Sequence, residues 1–232
     1  MTDLTIAPLT VPQAQSATDL AFKVLYDAVI SLKLPPGTKV SEVEVARQLD
    51  VSRQPVRDAF FRLSKLGFVA IRPQRATLIT RISEQAILDA VFVRIALELE
   101  CLRYAIDRQR PEDIDAIRQN LEAQTAALED SDPGIFHALD EAFHETLCSV
   151  AGHTHVWTLI QEQKAHMDRL RFLTLSEERR RRVLEEHTSL LEALEQRDIA
   201  LAEQRLRTHL TDIVTVLDEN RQAYPDYFEA GE

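Results

Sequence analysis

The sequence predicts a mostly α-helical protein with one small β-hairpin, and three observations lead to that fold class. The 232 residues contain five glycines, too few for the many tight turns of a β-sandwich or barrel. Apolar residues recur at three- and four-residue steps along most of the chain, which is the period of a helix with one buried face. β-Prone residues are concentrated in two short runs, 68–71 and 76–80. A hydrophobic content of 45% is sufficient for a core.

The first 82 residues divide into an arm, three helices and a hairpin. Residues 1–17 contain two prolines and no apolar period, so we expect a flexible N-terminal arm. Three helical segments follow, each bounded by capping or turn-forming residues: 18–34, 41–49 and 52–67. The segment from Arg72 to Arg75 joins the two β-prone runs as a hairpin turn. Three helices and a β-hairpin wing predict a winged helix-turn-helix domain over 18–82.

Beyond Ser83 the pattern is almost entirely helical. Serine, aspartate and proline caps mark six helical segments: 83–107, 111–130, 132–152, 154–173, one that starts at 176, and 198–224. Because the connections are short, consecutive helices should run antiparallel. The sequence therefore predicts an all-α antiparallel six-helix bundle over 83–224, and residues 225–232 are expected to form a frayed tail.

The charge is divided unevenly along the chain. Residues 1–82 hold 11 Lys and Arg against 7 Asp and Glu, a balance of +4, whereas the whole chain has a net charge of −11. A basic segment joined to an acidic one suggests that the first meets a polyanion, since phosphate contact depends on the local field.

Membrane-span, signal-peptide and cysteine patterns narrow the class of protein further. No apolar run reaches the ~18 residues of a membrane span, and residues 1–17 lack the basic start and apolar run of a signal peptide. We therefore expect a soluble, cytoplasmic protein without a membrane partner. Two cysteines, Cys101 and Cys148, are too few for a disulfide framework, so they are expected to be small core residues.

The predicted third helix carries a pattern suited to DNA. Arg53 and Arg57 are four residues apart and project from one side of its first turns. Arginine suits the paired acceptors of guanine and Gln54 suits adenine. Ser52 and the helix N-terminus can hold a phosphate. The alternative is an ordinary solvated helix face.

Four residues of the bundle could bind a metal ion. Asp140 and His144 share one helix face at a spacing of four, while His187 and His209 lie among leucines on two later helices. An unpaired imidazole in an apolar neighbourhood is costly. One carboxylate and three imidazoles suit zinc, nickel or another divalent transition metal. Spacing alone leaves open whether the helices converge or whether each histidine is a separately hydrogen-bonded core residue.

The arginines of the bundle fall into three groups. Arg94 lies on an inward stripe, where it can pair with Glu98 one turn later. The run from Arg179 to Arg182 is expected to face solvent and neighbouring glutamates. Arg169 and Arg171 can reach an interior pocket of the bundle only if their helix turns them inward, which the sequence leaves open.

The first domain resembles the winged-helix domain of the GntR family of bacterial repressors. The resemblance rests on the motifs at 42–46, Val-Ser-Arg-Gln-Pro-Val-Arg-Asp-Ala at 51–59 and Leu-x-x-Leu-Gly-Phe-Val at 63–69, and covers 18–82. It implies that base and phosphate contacts come from the recognition helix and that the wing tip enters the minor groove. These roles fall on six residues: Ser52, Arg53, Gln54, Arg57, Gln74 and Arg75. Ala76 stands where the family usually has glycine.

The second domain is similar to the all-helical FCD effector domain of the FadR subfamily, over about 84–224. The motifs are Asp-x-x-Phe-His at 140–144, Ala-Gly-His at 151–153, Glu-His-x-x-Leu-Leu at 186–191 and His-Leu at 209–210. The resemblance implies a divalent metal held by one Asp and three His, namely Asp140, His144, His187 and His209, with a small organic acid completing the shell. Because four protein ligands leave room only beyond tetrahedral coordination, we expect five or six positions, with water or carboxylate in the remainder. It also implies that Arg94 lies at the effector cavity. His153 replaces the usual asparagine.

Together these patterns predict a homodimeric DNA-binding transcription regulator, a repressor, and not an enzyme. It would bind a pseudo-palindromic double-stranded operator under the control of a small carboxylate metabolite. Its cofactor would be a divalent metal ion, with zinc as the first choice and nickel or manganese as alternatives. Two other functions stay open: a metal-dependent enzyme that uses the Asp/His cluster, although no HExxH motif is present, and a metal-free sensor.

Overall fold

The computed structural model describes residues 16–71 and 77–230. In this part of the chain the protein is mostly helical, with one small sheet, as the sequence predicts. The winged part contains α1 (Ala17–Ile30), β1 (Lys39–Val40), α2 (Glu42–Gln48), α3 (Arg53–Lys65), β2 (Val69–Ala70) and β3 (Thr77–Ile79). The bundle contains α4 (Glu84–Arg108), α5 (Pro111–Ala127), α6 (Pro133–Val150), α7 (Thr154–Gln163), α8 (Ala165–Thr174), α9 (Glu177–Glu195), α10 (Ile199–Thr215) and α11 (Leu217–Ala223).

The start of α1 corrects the predicted arm by one residue. Ser16 caps the helix by accepting from the Asp19 backbone N–H, and the Asp19 carboxylate in turn accepts from Ser16. This reciprocal capping box satisfies backbone groups that would otherwise be unpaired. Ala17 is therefore helical, and the rest of the predicted arm, 1–15, lies outside the described residues.

The sheet has one strand more than the predicted hairpin. All three strands are antiparallel and lie in the order β1-β3-β2, with Lys39 opposite Leu78 and Val69 opposite Ile79. The strand β1 is two residues long, too short for an alternating pattern to reveal it. The wing tip, 72–76, lies outside the described residues.

The bundle contains eight α-helices in its described part where the sequence suggests six, because two predicted helices are each divided. α7 and α8 separate at Lys164, whose side chain is buried and pairs with Glu141 and with Asp168. α10 and α11 separate at Val216. Neither break carries a glycine or proline, so no local signal marks it.

Four predicted caps are confirmed, each accepting a hydrogen bond from its own first turn: Ser83, Asp132, Ser176 and Asp198.

The C-terminal segment is ordered, which corrects the expected frayed tail. Pro225–Tyr227 forms a 3-10 helix, and the Phe228 ring is 2% exposed against the bundle. The Ile82 N–H donates to the Tyr227 carbonyl at 2.7 Å, and the Glu229 N–H donates to the Ile82 carbonyl at 2.9 Å. The segment is fixed because burial of the ring and these backbone bonds compensate the cost of ordering it.

α8 joins the two parts of the protein. Ala165 and Phe172 pack into the core of α1, α3 and the sheet, around Phe60 and Phe68, whereas Met167 and Leu170 pack into the bundle. The Arg169 guanidinium donates to the Thr80 carbonyl at 2.6 Å. One short helix therefore belongs to both cores.

His166 closes the same junction. Its Nδ1 accepts from the Ser83 backbone N–H at 3.0 Å and lies 2.7 Å from Arg169 Nη2. Gly67, which ends α3 at φ +79, leaves room for this ring: a Cβ there would lie 3.2 Å from the His166 Nε2. Glycine is required both for the positive φ and for the close approach.

Among the described residues, no helix combines the length and the apolar content that a bilayer crossing needs.

The His166 contact predicts an acid-sensitive junction. Burial and the nearby Arg169 lower the pKa of His166 to about 3. The unfolded chain takes up this proton near pH 6.5 and the folded protein does not, so the free energy of unfolding falls as the pH drops below about 6.5. We expect this residue to contribute roughly 1–2 kcal/mol of the fall between pH 6.5 and pH 5.

Urea unfolding at both pH values measures this effect. His166→Asn keeps an acceptor oxygen but does not titrate, so its stability should fall less than that of the unaltered protein. His155→Asn, on an exposed position of α7, is the control and should behave like the unaltered protein. Equal losses in all three proteins would contradict the assignment.

Candidate functional site

Four buried side chains from three helices meet inside the bundle. Asp140 and His144 come from α6, His187 from α9 and His209 from α10, and their ligand atoms all lie within 4.8 Å of one another. The His209 Nε2 is 3.1 Å from the His144 Nε2 and 3.3 Å from the His187 Nε2. Asp140 Oδ1 is 3.6 Å from the His187 Nε2. The convergence that spacing alone left open is present in the structure.

The outer nitrogen of each ring faces an oxygen atom. His144 Nδ1 lies 2.7 Å from Glu98 Oε2, His187 Nδ1 lies 3.0 Å from Gln124 Oε1, and His209 Nδ1 lies 2.8 Å from Glu186 Oε2. The Gln124 amide is oriented because its Nε2 donates to Asn120 Oδ1 at 2.7 Å. A neutral imidazole that donates through Nδ1 carries its lone pair on Nε2. All three lone pairs therefore point into the same small space.

This arrangement suits a cation. Burial lowers the pKa of His187 and of His209 well below the usual range, so both rings are neutral at pH 7. Burial alone would raise the pKa of Asp140, but the neighbouring Arg171 guanidinium holds it well below its usual value. Three imidazoles and one carboxylate are a donor set that suits zinc, nickel and related divalent ions. Donor atoms ~2.0–2.1 Å from one ion stand about 2.9–3.4 Å apart, which matches the two nitrogen–nitrogen distances.

Glu98 is a site residue that the sequence reasoning used only as a partner of Arg94. Arg94 is 1% exposed, and its Nε donates to Glu98 Oε1 at 2.5 Å while the other carboxylate oxygen faces His144. Although burial opposes ionisation, Arg94 and His144 hold the pKa of Glu98 well below its usual value. The predicted ion pair one helix turn apart is thus present, and it also orients a candidate ligand. Gln124 and Glu186 have no local sequence signal that links them to histidines on other turns or helices.

A narrow cleft opens beside Asp140 and His209. Apolar Phe136, Val183 and Ile213 line it together with His137, Arg171 and Arg179. Arg171 Nη1 lies 2.5 Å from Asp140 Oδ2, and Arg179 pairs with Asp212. The free space is about 20 Å³, roughly that of one water molecule. A larger anion can enter only if the lining side chains move.

The bundle arginines differ in part from expectation. Arg171 lines the cleft, whereas Arg169 binds the junction carbonyls. The expectation that 179–182 faces solvent is wrong for two members of the run. Arg179 turns inward to Asp212, and Arg180 is 9% exposed and donates to the carbonyls of Ala127 and Asp130. Ala127 is the last residue of α5 and Asp130 lies in the turn that follows, so Arg180 binds carbonyls at and just beyond the helix C-terminus, where cations are favoured. Arg94 does not line the cleft.

The candidate DNA-reading residues lie at the start of α3. Ser52 is the N-cap, and Arg53 and Arg57 follow with side chains 61% and 56% exposed. Gln54 is also exposed and donates to Asp58 at 2.8 Å. The sharp turn before the helix uses Asp50 at φ 51. The wing residues Gln74 and Arg75 fall in 72–76, outside the described residues.

Comparison with known proteins gives matches over both parts of the chain. The family model "Bacterial regulatory proteins, gntR family" matches residues 21–79, and the FCD domain model matches 89–212. The HTH-type transcriptional repressor RspR of Escherichia coli (strain K12) is 31% identical over 215 residues, which are 92% of this chain and 94% of that protein. A probable D-xylose utilization operon transcriptional repressor of Paenarthrobacter nicotinovorans is 29% identical over 77% of this chain and 78% of its own length.

Two solved structures share the fold. E. coli McbR/YncC has a TM-score of 0.76 at 20% identity and covers 88% of this chain and 98% of its own. A putative transcriptional regulator GntR from Rhodococcus sp. RHA1 has a TM-score of 0.72 at 22% identity, with 87% and 97% covered. Both similarities include the winged part and the bundle of this chain.

The buried pair beside His144 predicts a large stability effect. Glu98→Gln leaves the Arg94 guanidinium buried without a counter-charge, so the free energy of unfolding in urea should fall by about 3–5 kcal/mol. The double variant Arg94→Met with Glu98→Gln removes both charges, keeps an amide oxygen beside His144, and should recover most of that loss. If the double variant is as unstable as Glu98→Gln, the unpaired charge is not the cause.

Proposed function

This chain belongs to the GntR family of bacterial transcriptional regulators and carries an FCD domain, and we propose that it is a homodimeric repressor whose operator binding is controlled by an organic acid at a metal site. The observation that carries the proposal is the set of three imidazoles, each with an oxygen within 3.0 Å of its Nδ1 and each facing the others through Nε2. Such oriented histidines are typical of metal ligands in proteins.

The proposed DNA contacts come from the start of α3. Arg53 and Arg57 would read base edges in the major groove, with Gln54 beside them and Ser52 at a phosphate. Gln74 and Arg75 would extend the contact into the minor groove from the wing. Chromosomal DNA as the partner places the protein in the cytoplasm.

The proposed metal ligands are Asp140, His144, His187 and His209. A divalent ion, with zinc as the first choice and nickel or manganese as alternatives, would supply a positive charge for a small carboxylate. The adjacent cleft supports this class of effector because Arg171 and Arg179 line it. Arg94 remains a proposed effector residue, since its Nη2 is buried with no hydrogen-bond partner in the described part of the chain.

α8 supports a coupling between the cleft and the winged domain. An acid in the 20 Å³ cleft has to displace lining groups, and Arg171 and Thr174 of α8 are among them. The same helix holds Phe172 in the winged core and Arg169 on the Thr80 carbonyl. A ligand that binds one position of α8 more tightly than another shifts the position of the winged domain.

The homodimer is proposed because the operator is expected to be pseudo-palindromic and because α4 exposes apolar side chains. Phe92 is 74% exposed and Leu88, one turn earlier, is 36% exposed. A second copy would cover such a pair.

The alternative of a metal-dependent enzyme is not supported, because the two family matches and the similar proteins are transcriptional regulators. A metal-free sensor remains the second candidate. The cleft supports the metal-free sensor in one respect, because Arg171 and Arg179 in its lining can bind an acid directly.

The reading helix predicts a loss of DNA binding. A duplex selected by the unaltered protein from a randomised pool serves as the operator probe. Arg53→Ala with Arg57→Ala should weaken binding by roughly 30-fold or more, since each bidentate contact to a base contributes ~1–3 kcal/mol. Arg103→Ala with Arg118→Ala removes two equally exposed bundle arginines and should bind as the unaltered protein does. Unchanged binding by the first variant would refute the DNA-reading role.

The metal site predicts about one divalent ion per chain in protein purified without chelator or nickel resin. His187→Gln with His209→Gln should lower the content below ~0.2 per chain, while His155→Gln should leave it unchanged.

In a thermal-shift screen of sugar acids, hydroxy acids and dicarboxylates, an effector should raise Tm only with the metal present and should change operator affinity about 5- to 150-fold. A content below ~0.2 in the unaltered protein, with acids still raising Tm, would favour the metal-free sensor.

A further inference from the structure

Glu42 connects the two helices of the helix-turn-helix at the point where the reading arginines emerge. It is the first residue of α2, and its carboxylate accepts from Arg57 Nη2 at 3.1 Å and from Arg57 Nε at 3.3 Å. Arg53 Nη2 lies 3.6 Å from the same carboxylate. The Glu42 side chain is 26% exposed, so this one acid holds both guanidinium groups from beneath the exposed surface.

The other acids nearby have different partners. Glu44, also on α2, binds Arg47 and Gln48 of its own helix. Asp58 of α3 accepts from Gln54. Only Glu42, of the two acids on α2, reaches across to α3. The Arg57 hydrogen bond lowers the pKa of Glu42, and the carboxylate is therefore ionised at neutral pH.

We propose that Glu42 is a positioning residue that gives the α3 arginines their sequence selectivity. The inference rests on the proposed DNA-reading role of Arg53 and Arg57. A free arginine samples many rotamers and can follow any phosphate, whereas a guanidinium held on one edge presents its other edge in a fixed direction.

The negative charge of Glu42 adds discrimination. On a non-cognate duplex the arginines must leave Glu42 to reach phosphates, and the uncovered carboxylate then faces the backbone of the DNA. On a cognate duplex Arg57 can bind a base edge bidentately while it remains beside Glu42. Glu42 therefore penalises wrong sequences more than the right one, which is how a repulsive group increases specificity. An exposed pair of this kind contributes little to folding stability.

The test uses the full chain and two duplexes, the one selected by the unaltered protein and a scrambled duplex of the same composition. Glu42→Gln should bind the scrambled duplex more tightly and lower the ratio of selected to scrambled affinity about three- to tenfold. Glu44→Gln makes the same charge change on the same helix and should keep that ratio within about twofold. Glu42→Asp should recover part of the selectivity.

A second readout separates positioning from a general charge effect. Sites selected anew by Glu42→Gln should lose base preference at the positions that Arg57→Ala also relaxes, while urea unfolding stays unchanged. An equal shift in Glu42→Gln and Glu44→Gln, or unaltered base preferences, would overturn the role of Glu42 and leave the DNA-reading proposal intact. Failure of the unaltered protein to select any duplex would instead overturn the proposed function and this inference with it.

Discussion

The structure depends on one constraint: a buried imidazole needs a partner for each ring nitrogen. Three helices, α6, α9 and α10, place His144, His187 and His209 together. A side chain from a second helix supplies an oxygen near the Nδ1 atom of each ring. The outer oxygens come from α4, α5 and α9, so these contacts connect five helices of the bundle: α4, α5, α6, α9 and α10. The inner nitrogens are left facing one another, and this arrangement defines what the bundle can bind. Core packing and ligand chemistry are therefore set by the same side chains.

Much of this was accessible from sequence because its signals are local. Capping residues, the three- and four-residue apolar period and the spacing of Asp140 from His144 depend on neighbours along the chain, and they predicted the helices and the first half of the candidate site. The resemblance to a known family supplied the convergence of His187 and His209, which no spacing could show. What was missed is largely non-local: Gln124 is 63 residues from His187, and the buried Lys164 at the break between α7 and α8 pairs with Glu141 of α6. The docked Phe228 was missed for the same reason.

α8 and Glu42 are two small features that each connect separate elements of the fold. α8 is ten residues long and places one side in the winged core and the other against the cleft. Glu42 is a single acid that connects α2 to α3 in the winged part. α8 makes its connection largely by packing apolar side chains into both cores, whereas Glu42 makes its connection through directed hydrogen bonds to Arg57.

The strand-like pairing of Ile82 with Phe228 has a practical meaning. The connection between the winged part and α4 is enclosed, with residues 227–229 on one side and Arg169 and His166 of α8 on the other. A fluorescent label on the Glu229 side chain would therefore lie beside this connection and would report on the contact between the winged part and the bundle.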